Sequence, residues 1–297
     1  MEQRVLVIGE ALIDIVETAD GARELVGGSP ANVAVGLARL GHRTALHTRI
    51  GHDPRGARVA EHVASSGAAL TPQSWGDAAT STARARLAAD GSASYVFDID
   101  WRMPAPDLDG VALVHSGSIA LFLEPGGTAV LEALQHAAHG AALVSIDPNI
   151  RPALVGDRDA ALARFGEAVR VADLVKLSDE DAAWLYPESR PEEVLAAIAA
   201  HGPRLVVMTR GSAGAMALGP DGILDVPAWP VDVADTIGAG DAYMASLVSS
   251  ALDDPMLFTS EAAVERAMRR AAVAAGITVS RVGANPPTRA EVDAALR

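Results

Sequence analysis

Short apolar runs alternate with longer helical patterns along most of the chain, and this alternation limits the possible folds more than any other feature. The apolar runs predict buried strands over residues 5–8, 45–50, 111–114, 142–146, 174–177 and 205–208. Helical patterns separate several of them, for instance over residues 128–139, 160–171, 192–200 and 262–277. Because strands that are apolar throughout are typical of parallel sheets covered on both faces, we expect an α/β fold with a mostly parallel central sheet and helices on both sides.

Two segments interrupt this alternation with short β-like runs. Residues 12–25 and 81–100 each contain an Asp-Gly pair, at positions 20–21 and 90–91, which is typical of a hairpin turn. They predict two hairpins outside the central sheet. Because no internal repeat or linker divides the chain, we expect residues 1–297 to form one domain that carries these additions.

Composition excludes several classes of function. A formal net charge of −14 argues against nucleic acid or an anionic membrane as a partner. The absence of cysteine excludes disulfides, thiolate metal sites and a cysteine nucleophile. Neither a signal peptide nor an apolar run of roughly 18 residues is present, so we expect a cytoplasmic protein that does not span a membrane.

The most informative motif is DTIGAGD, at residues 235–241, directly before an apolar run with a helical pattern. A turn of small residues that opens a helix presents unpaired backbone N–H groups and the positive end of the helix dipole, and such a place binds phosphate. A carboxylate beside a bound phosphoryl group can take the proton of an attacking hydroxyl. The motif therefore predicts a small-molecule kinase, with Asp241 as the general base and the N–H groups of Gly238, Ala239 and Gly240 as an anion hole. The alternative is an ordinary helix N-terminus with Asp near the cap.

A second motif, GGSPANVAVGLARLG, covers residues 27–41. It predicts a helix that is capped by Ser29, has Pro30 in its first position and ends at Gly41. A well-capped amphipathic helix explains most of this segment. It does not explain Gly27 and Gly28, which allow a ligand to approach the backbone closely, or Asn32, whose amide can bind hydroxyl groups.

The chain contains one lysine, Lys176, and 23 arginines, which decides how a nucleotide can be bound. Lys176 lies between Val175 and Leu177, so it does not form the Gly-Lys-Ser/Thr sequence that ends a P-loop. No Gly-x-Gly-x-x-Gly follows the first strand, which disfavours a dinucleotide-dependent dehydrogenase. If the protein binds ATP, it uses neither of these motifs.

Together the two glycine-rich motifs resemble the N-terminal and C-terminal signatures of the ribokinase-like (PfkB) carbohydrate kinase family. The resemblance continues through residues 9–14, 50–56, 147–151 and 209–211, and GEALID and DPNIR look most like the corresponding segments of bacterial fructokinases. It implies ATP-dependent phosphorylation of a primary sugar hydroxyl, with D-fructose as the expected substrate and with Mg²⁺ and K⁺ as the ions. The same chemistry on 2-keto-3-deoxygluconate, ribose or tagatose 6-phosphate remains an alternative, as does a catalytically inert sugar-binding regulator.

The resemblance also implies roles for individual residues. The sugar is expected at Asp14, Gly27, Gly28, Asn32 and Arg151, and K⁺ at Asp235 and the Ile237 carbonyl. Residues 176–181 occupy the place of an Asn-x-x-Glu motif linked to magnesium and phosphate in many relatives, but Ser178 and Asp181 replace its two residues here and leave their role in doubt. The remaining positions expected near the nucleotide or its metal are Asn149, Lys176, Thr209, Gly211 and Asn285.

Relatives in this family carry a small β-sheet lid over the sugar, and the hairpins at residues 12–25 and 81–100 resemble it. In an extended strand Tyr95 and Phe97 share one face, which sugar or a partner must cover, so we expect a homodimer formed through the lid. Arg84, Arg86, Arg102 and Arg151 could bind an anionic sugar and keep that alternative open.

Overall fold

A computed structural model describes residues 4–18, 21–87 and 93–297 of the chain. In chain order the strands are β1 (Arg4–Ile8), β2 (Leu12–Thr18), β3 (Gly21–Gly27), β4 (Arg43–His47), β5 (Ile50–Gly51), β6 (Ala69–Leu70), β7 (Trp75–Gly76), β8 (Thr82–Leu87), β9 (Ala93–Asp98), β10 (Val111–Gly117), β11 (Leu143–Asp147), β12 (Leu174–Ser178), β13 (Leu205–Thr209), β14 (Ala215–Gly219) and β15 (Gly222–Val226). The helices are α1 (Ser29–Arg39), α2 (Pro54–Ser65), α3 (Ile119–Phe122), α4 (Gly126–His139), α5 (Pro152–Val155), α6 (Arg158–Val169), α7 (Asp179–Leu185), α8 (Pro191–Ala199), α9 (Ala239–Asp253), α10 (Glu261–Val279) and α11 (Arg289–Ala295), with 3₁₀ turns at Pro72–Ser74 and Gly211–Ala213.

A central sheet of nine strands has the order β15-β14-β13-β12-β11-β10-β1-β4-β6. The strands from β13 to β6 run parallel, and β14 and β15 add an antiparallel edge. After β1 the chain first builds one side of the sheet through β4 and β6, and later returns to the other side at β10. The switch point therefore lies between β1 and β10, where ligands of such sheets bind beyond the carboxyl ends of the strands.

Both faces of the central sheet are buried under helices, as the apolar runs predict. Alternate residues of β1 enter two different cores: Val5 and Val7 pack with α1, α9 and α10, whereas Leu6 and Ile8 pack with α4, α6 and α8. This alternation follows from the two-residue period of a strand. The predicted α/β class with a mostly parallel sheet is confirmed.

Three elements of the central fold differ from the sequence predictions or were missed by them. The run at residues 45–50 is not one strand, because the Thr48 N–H donates to Ser74 Oγ (3.1 Å) and the chain leaves the sheet between β4 and β5. Helix α2, whose first turn is capped by the Asp53 carboxylate on Gly56 N (2.8 Å), was not predicted. The β14–β15 hairpin was also missed.

The two predicted hairpins are present and form a separate four-stranded sheet, which we call the lid sheet, with the order β3-β2-β8-β9. Each hairpin is antiparallel, and the parallel pair β2–β8 joins them. The predicted turn residues Asp20, Asp90 and Gly91 lie outside the described residues. Glu24 of β3 ties the lid sheet to α2, since its carboxylate accepts hydrogen bonds from Arg55 Nε (3.1 Å) and Arg58 Nη1 (2.7 Å).

Of the helices within the described ranges, none is both long enough and apolar enough to cross a bilayer.

Candidate active site

A cavity of about 670 Å³ lies between the lid sheet and the switch point of the central sheet. Its wall includes Glu10 after β1, Ser118 after β10, Arg151 after β11 and the start of α1. The lid sheet contributes small and apolar residues, including Ala83, Ala85 and Phe97. The cavity is thus at the place where a sheet of this topology binds ligands.

Helix α9 begins at the turn expected from the DTIGAGD motif, with Gly238 at its N-cap in the left-handed region (φ 78°). A side chain at Gly238 would also approach Ala284, since an ideal Cβ would lie 2.8 Å from the Ala284 Cβ. The Ala239 N–H donates to the Thr236 carbonyl (3.3 Å), so this group of the expected anion hole already has an acceptor. The first turn of α9 also carries Asp241.

Asp241 is buried (8% exposed), and two side chains of α1 hold its carboxylate. Ser29 Oγ donates to Oδ1 (2.6 Å), and Asn32 Nδ2 donates to Oδ2 (2.8 Å). Burial raises the pKa of Asp241, while the bonds from Ser29 and Asn32 and the charges of Lys176 and Arg151 act in the opposite direction. Ser29 and Asn32 both line the cavity and connect it to the carboxylate.

The predicted cap of α1 was wrong. Gly28, not Ser29, is the N-cap residue, and its φ of 107° is one that a side chain would strain. An ideal Cβ on Gly28 would lie 2.5 Å from the Glu10 carbonyl oxygen, so only glycine fits this approach of two backbone segments. Because the turn begins one residue earlier, the Ser29 hydroxyl is free to reach Asp241 instead of capping the helix.

Asp14 and Gly27 lie side by side on the two strands of the first hairpin. Asp14 of β2 pairs in register with Leu25, and its carboxylate fills the space that a Gly27 side chain would occupy. Both residues line the cavity. Burial raises the pKa of Asp14, and the Arg151 guanidinium lowers it in part.

Arg151 lies in the cavity wall on the loop that follows β11. Its Nη1 donates to Asn149 Oδ1 (2.8 Å) and to the Asn149 and Ile150 carbonyls (3.2 and 3.1 Å). Asn149 has a positive φ of 37° and does not line the cavity, so the structure uses its side chain to orient Arg151. The same guanidinium lowers the pKa values of Glu10, Asp14 and Asp241 against the effect of burial.

Lys176 is buried behind the α9 turn and is paired with Asp147 (Nζ to Oδ2, 2.9 Å). An ideal Cβ on Gly240 would lie 3.1 Å from Lys176 Nζ, which shows how close the ammonium comes to the turn. Burial alone would lower the pKa of Lys176, but Asp147, Asp181 and Asp241 raise it overall. Burial raises the pKa of Asp147 to about 6. Lys176 therefore places a buried positive charge beneath the expected phosphate site. Its partner Asp147 had not been assigned a role from the sequence.

Ser178 and Asp181 form the capping box of α7. Asp181 Oδ2 accepts from Ser178 N (2.8 Å) and Ser178 Oγ (2.7 Å), and Oδ1 accepts from Ile150 N (2.6 Å). Both carboxylate oxygens are therefore engaged within the protein. The pair connects α7 to the loop that carries Arg151.

The residues expected near the nucleotide lie at two places in the fold, at the end of β13 and in the loop that contains Asn285. Thr209 ends β13 and donates to the Leu177 carbonyl (3.4 Å), and Gly211 begins a 3₁₀ turn with a φ of 52°. Asn285 Oδ1 accepts from Arg39 Nη1 (2.5 Å) and lines the same cavity as Asp14. The structure thus brings Asn285, but not Thr209 or Gly211, to the cavity wall.

Asp235 joins the α9 turn to the loop at residues 281–285. Its Oδ1 accepts from Ile237 N (3.1 Å) and its Oδ2 accepts from Gly283 N (2.8 Å). The hydrogen bond from the Gly283 N–H, and to a smaller extent the one from the Ile237 N–H, lowers the pKa of Asp235 and keeps it ionised. Within the described residues, no group of three or more His, Cys, Asp or Glu side chains is arranged to hold a metal ion.

Two of the lid arginines do not face the cavity. Arg84 lies between the lining residues Ala83 and Ala85 and pairs with Glu17 on the other face of the lid sheet. Arg102 is largely exposed and pairs with Asp100 (3.0 Å). The expectation that these cations could receive an anionic sugar is therefore wrong for both, and the Arg86 side chain lies outside the described residues.

Glu10 was not assigned a role from the sequence, although it is a buried carboxyl group in the cavity wall (5% exposed). Its Oε2 accepts from Ala120 N (3.3 Å). Burial raises its pKa to about 7, against opposing contributions from Ser118 and Arg151. The sequence signal was a glutamate immediately after an apolar strand and a glycine, at the end of the strand where ligands bind.

Comparisons with known proteins agree with this geometry. The pfkB family carbohydrate kinase model matches residues 2–291. A fructokinase from Rhizobium leguminosarum bv. trifolii is 34% identical over 280 residues, which cover 89% of this chain and 85% of that protein. A fructokinase from Salmonella typhimurium is 32% identical over 260 residues, covering 84% and 85% of the two chains.

Solved structures of fructokinases are also similar to this chain. A double mutant of the Vibrio cholerae O395 fructokinase, bound to fructose, ADP and potassium, superposes with a TM-score of 0.88 at 28% identity, and covers 100% of this chain and 99% of that one. The Xylella fastidiosa fructokinase with bound ATP superposes with a TM-score of 0.83 at 25% identity, covering 99% and 98%.

Proposed function

The chain belongs to the pfkB family of carbohydrate kinases, and we propose that it is a fructokinase that uses ATP to convert D-fructose into fructose 6-phosphate. The observation that carries this proposal is the Asp241 carboxylate at the start of α9, which is held by two cavity-lining side chains of α1. A positioned base next to a phosphate-binding turn is what hydroxyl phosphorylation requires.

In the proposed reaction the primary hydroxyl oxygen of the sugar forms a bond to the γ-phosphorus of ATP. The bond from that phosphorus to the β–γ bridging oxygen breaks, and ADP leaves with the electron pair. The hydroxyl proton passes to the Asp241 carboxylate, whose two oxygens are fixed by Ser29 and Asn32. In this proposal the Gly238 and Gly240 N–H groups and the dipole of α9 stabilise the charge of the transferred group, and the Ala239 N–H joins them only by giving up its bond to the Thr236 carbonyl.

The charges around the cavity favour an uncharged sugar. Glu10, Asp14 and Asp241 are acidic groups that all experience the charge of Arg151. The lid arginines Arg84 and Arg102 pair elsewhere. The three arginines that the structure describes in the cavity lining are engaged within the protein: Arg58 with Glu24, Arg39 with Asn285 and the Pro286 carbonyl, and Arg151 with Asn149. A sugar carboxylate or phosphate would have to compete for them, which supports fructose over 2-keto-3-deoxygluconate and tagatose 6-phosphate.

We assign sugar binding to Asp14, the Gly27–Gly28 backbone, Asn32 and Arg151, and nucleotide contacts to Thr209, Gly211 and Asn285.

When bound with ATP, Mg²⁺ neutralises phosphate charge, and it usually keeps several waters. Asp147 Oδ1 is a buried oxygen for which the described residues offer no hydrogen-bond partner, whereas both oxygens of Asp181 are engaged. Asp147 is therefore the carboxylate that fits a magnesium-bound water, with Lys176 balancing its charge.

We assign K⁺ to Asp235 and the Ile237 carbonyl, beside the α9 turn. The Asp235 carboxylate stays ionised because backbone N–H groups of Gly283 and Ile237 lower its pKa. The Vibrio cholerae fructokinase double mutant binds a potassium ion together with fructose and ADP. A cation at this position would brace the turn that presents the anion hole.

We also propose a homodimer formed through the lid sheet. Strand β9 is an edge of that sheet, and Val96 on it is 62% exposed. An edge strand with an exposed apolar side chain is suited to pairing with a second copy.

The test of this function is ADP release from ATP across a panel of fructose, ribose, 2-keto-3-deoxygluconate and tagatose 6-phosphate. Fructose should exceed each of the others in kcat/KM by at least about tenfold, which is about 1.4 kcal/mol of transition-state binding. A higher kcat/KM for another sugar would overturn the substrate assignment. An absence of ADP release with every sugar would support the inert sugar-binding regulator instead.

A further inference from the structure

The mechanism above leaves one buried acidic group in the cavity wall unused. Glu10 follows β1 directly, is 5% exposed and still contributes to the cavity lining. Its main chain is fixed, because the Glu10 carbonyl packs against Gly28 at the start of α1. Its carboxyl group is fixed from the other side, where the Ala120 N–H at the start of α3 donates to Oε2 (3.3 Å). The side chain therefore cannot turn away from the cavity without losing this contact.

The charged and polar groups that face Glu10 come from each neighbouring element. The loop after β10 provides Ser118, the loop after β11 provides Arg151, and the lid sheet and α9 place Asp14 and Asp241 around the same Arg151. Arg151 is the cation within the described residues that acts on Glu10, and it is shared with both aspartates. Asp241 also experiences the charge of Lys176, whereas Glu10 and Asp14 have, among the described cations, only their share of Arg151 to offset the cost of burying an ionised carboxylate.

Sugar binding increases the free-energy cost of keeping these carboxyl groups ionised. A sugar in the cavity displaces water that would otherwise solvate an ionised carboxylate, and loss of water favours the neutral acid. Asp241 must be ionised to accept a proton, so Glu10 is the group whose neutralisation does not interrupt the reaction. Burial already raises the Glu10 pKa to about 7, so the neutral form is accessible near physiological pH.

We propose that Glu10 binds the sugar as a neutral carboxylic acid that donates its hydrogen to a sugar oxygen. Only the identity of the ligand as a sugar rests on the proposed function. In this state Glu10 supplies a donor to a cavity whose other acidic groups accept, and it adds no charge beside Asp14 and Asp241. Sugar binding then takes up a proton at pH values where free Glu10 is ionised.

The experiment is isothermal titration of the full-length protein with sugar, in buffers of different ionisation enthalpy, about one pH unit above and below the Glu10 pKa of about 7. The sugar used is the one with the highest kcat/KM in the ADP-release panel. If that sugar is not fructose, the proposed function is overturned, but the titration can still be done. At the higher pH the wild type should take up close to one proton, and at the lower pH almost none. The sugar Kd should rise with pH over this interval, by at most about tenfold per pH unit.

Glu10→Gln should abolish both effects, because the glutamine amide keeps a donor and a similar shape but does not titrate. Its Kd should be independent of pH and close to that of the wild type at the lower pH. Glu61→Gln, at an exposed position on α2, is the matched control and should behave like the wild type. Unchanged proton uptake in Glu10→Gln would overturn the proposal, since another group would then titrate. An absence of uptake in the wild type would overturn it without any variant.

Discussion

The Ser29 hydroxyl donates a 2.6 Å hydrogen bond to Oδ1 of Asp241, although 212 positions separate the two residues in the chain. Ser29 begins α1 and Asp241 lies in the first turn of α9, so the bond joins the N-terminal ends of two helices. Because Ser29 and Asn32 donate to different oxygens, the carboxylate has one orientation. Both bonds favour the ionised form, which is the form that can act as a base.

Asp241→Asn should lower kcat by about 10²–10⁴, because the amide cannot accept the hydroxyl proton. The side chain is nearly isosteric, so the fold and nucleotide binding should be kept. Steady-state kinetics and a nucleotide-binding titration measure the two quantities separately. Activity within about threefold of the wild type would rule out Asp241 as the general base.

The pH profile of kcat should lose activity on its acidic side as Asp241 becomes protonated. Burial raises the pKa of this carboxyl above its usual value of 3.8, so activity should fall at a higher pH than an ordinary aspartate would give. The Ser29 bond opposes this effect, and Ser29→Ala should therefore move the acidic limb to still higher pH. The measurement is kcat at saturating sugar and ATP. A limb that moves to lower pH in Ser29→Ala would contradict the assignment.

Potassium should increase activity. At fixed ionic strength, kcat in K⁺ should exceed kcat in a bulky organic cation, because a bound ion braces the turn between Asp235 and α9. Asp235→Asn removes the charge and should reduce the difference between the two salts. Equal rates of the wild-type protein in both salts would show that no functional cation site exists.

The protein should be a dimer at micromolar concentration, as measured by light scattering. Val96→Asp should shift the mass towards the monomer, because a charge on the exposed edge strand β9 opposes close pairing. Val233→Asp is a suitable control, since Val233 is similarly exposed (63%) but lies outside the lid sheet. A wild-type protein with the monomer mass would overturn the lid interface.

Lys176→Met should lower the free energy of unfolding by about 3–5 kcal/mol, because it leaves Asp147 buried without its cation. Urea unfolding monitored by circular dichroism measures this loss. Adding Asp147→Asn to Lys176→Met removes the uncompensated charge and should restore part of the stability. A double variant that is less stable than Lys176→Met would contradict this explanation.

The fold class was accessible from the sequence because most strands of the central sheet and the long helices have a local signal. The apolar runs that become β1, β10, β11, β12 and β13 reflect burial on both faces, and the lid hairpins show their turn residues. Helix α2 and the β14–β15 hairpin were missed. Few residues of α2 and β15 are buried, which weakens their apolar pattern. Strand β14 is largely buried, but it contains no β-branched or aromatic residue to indicate a strand.

The site was accessible only in part. Asp241, Asp14 and Asn32 belong to recognisable motifs, but the sequence could not show that Ser29 contacts Asp241 rather than capping its own helix. The Ser29 hydroxyl can hydrogen-bond either to the first turn of its own helix or to Asp241, and the conformation of Gly28 decides which bond forms. Arg84 illustrates the same limit, because the register of β2 and β8 determines which face of the lid sheet it occupies.

The sequence by itself determined the parallel α/β architecture, the two glycine-rich helix starts and the carboxylate between them. These depend on hydrophobic period, turn chemistry and short motifs, which are local properties of the chain. Only the tertiary structure placed Glu10 and Asp147 at the site and paired Lys176 with Asp147, because these roles depend on burial and on charges from other strands. A carboxyl group has an ordinary pKa in an extended chain, and only packing removes its water and fixes its neighbours.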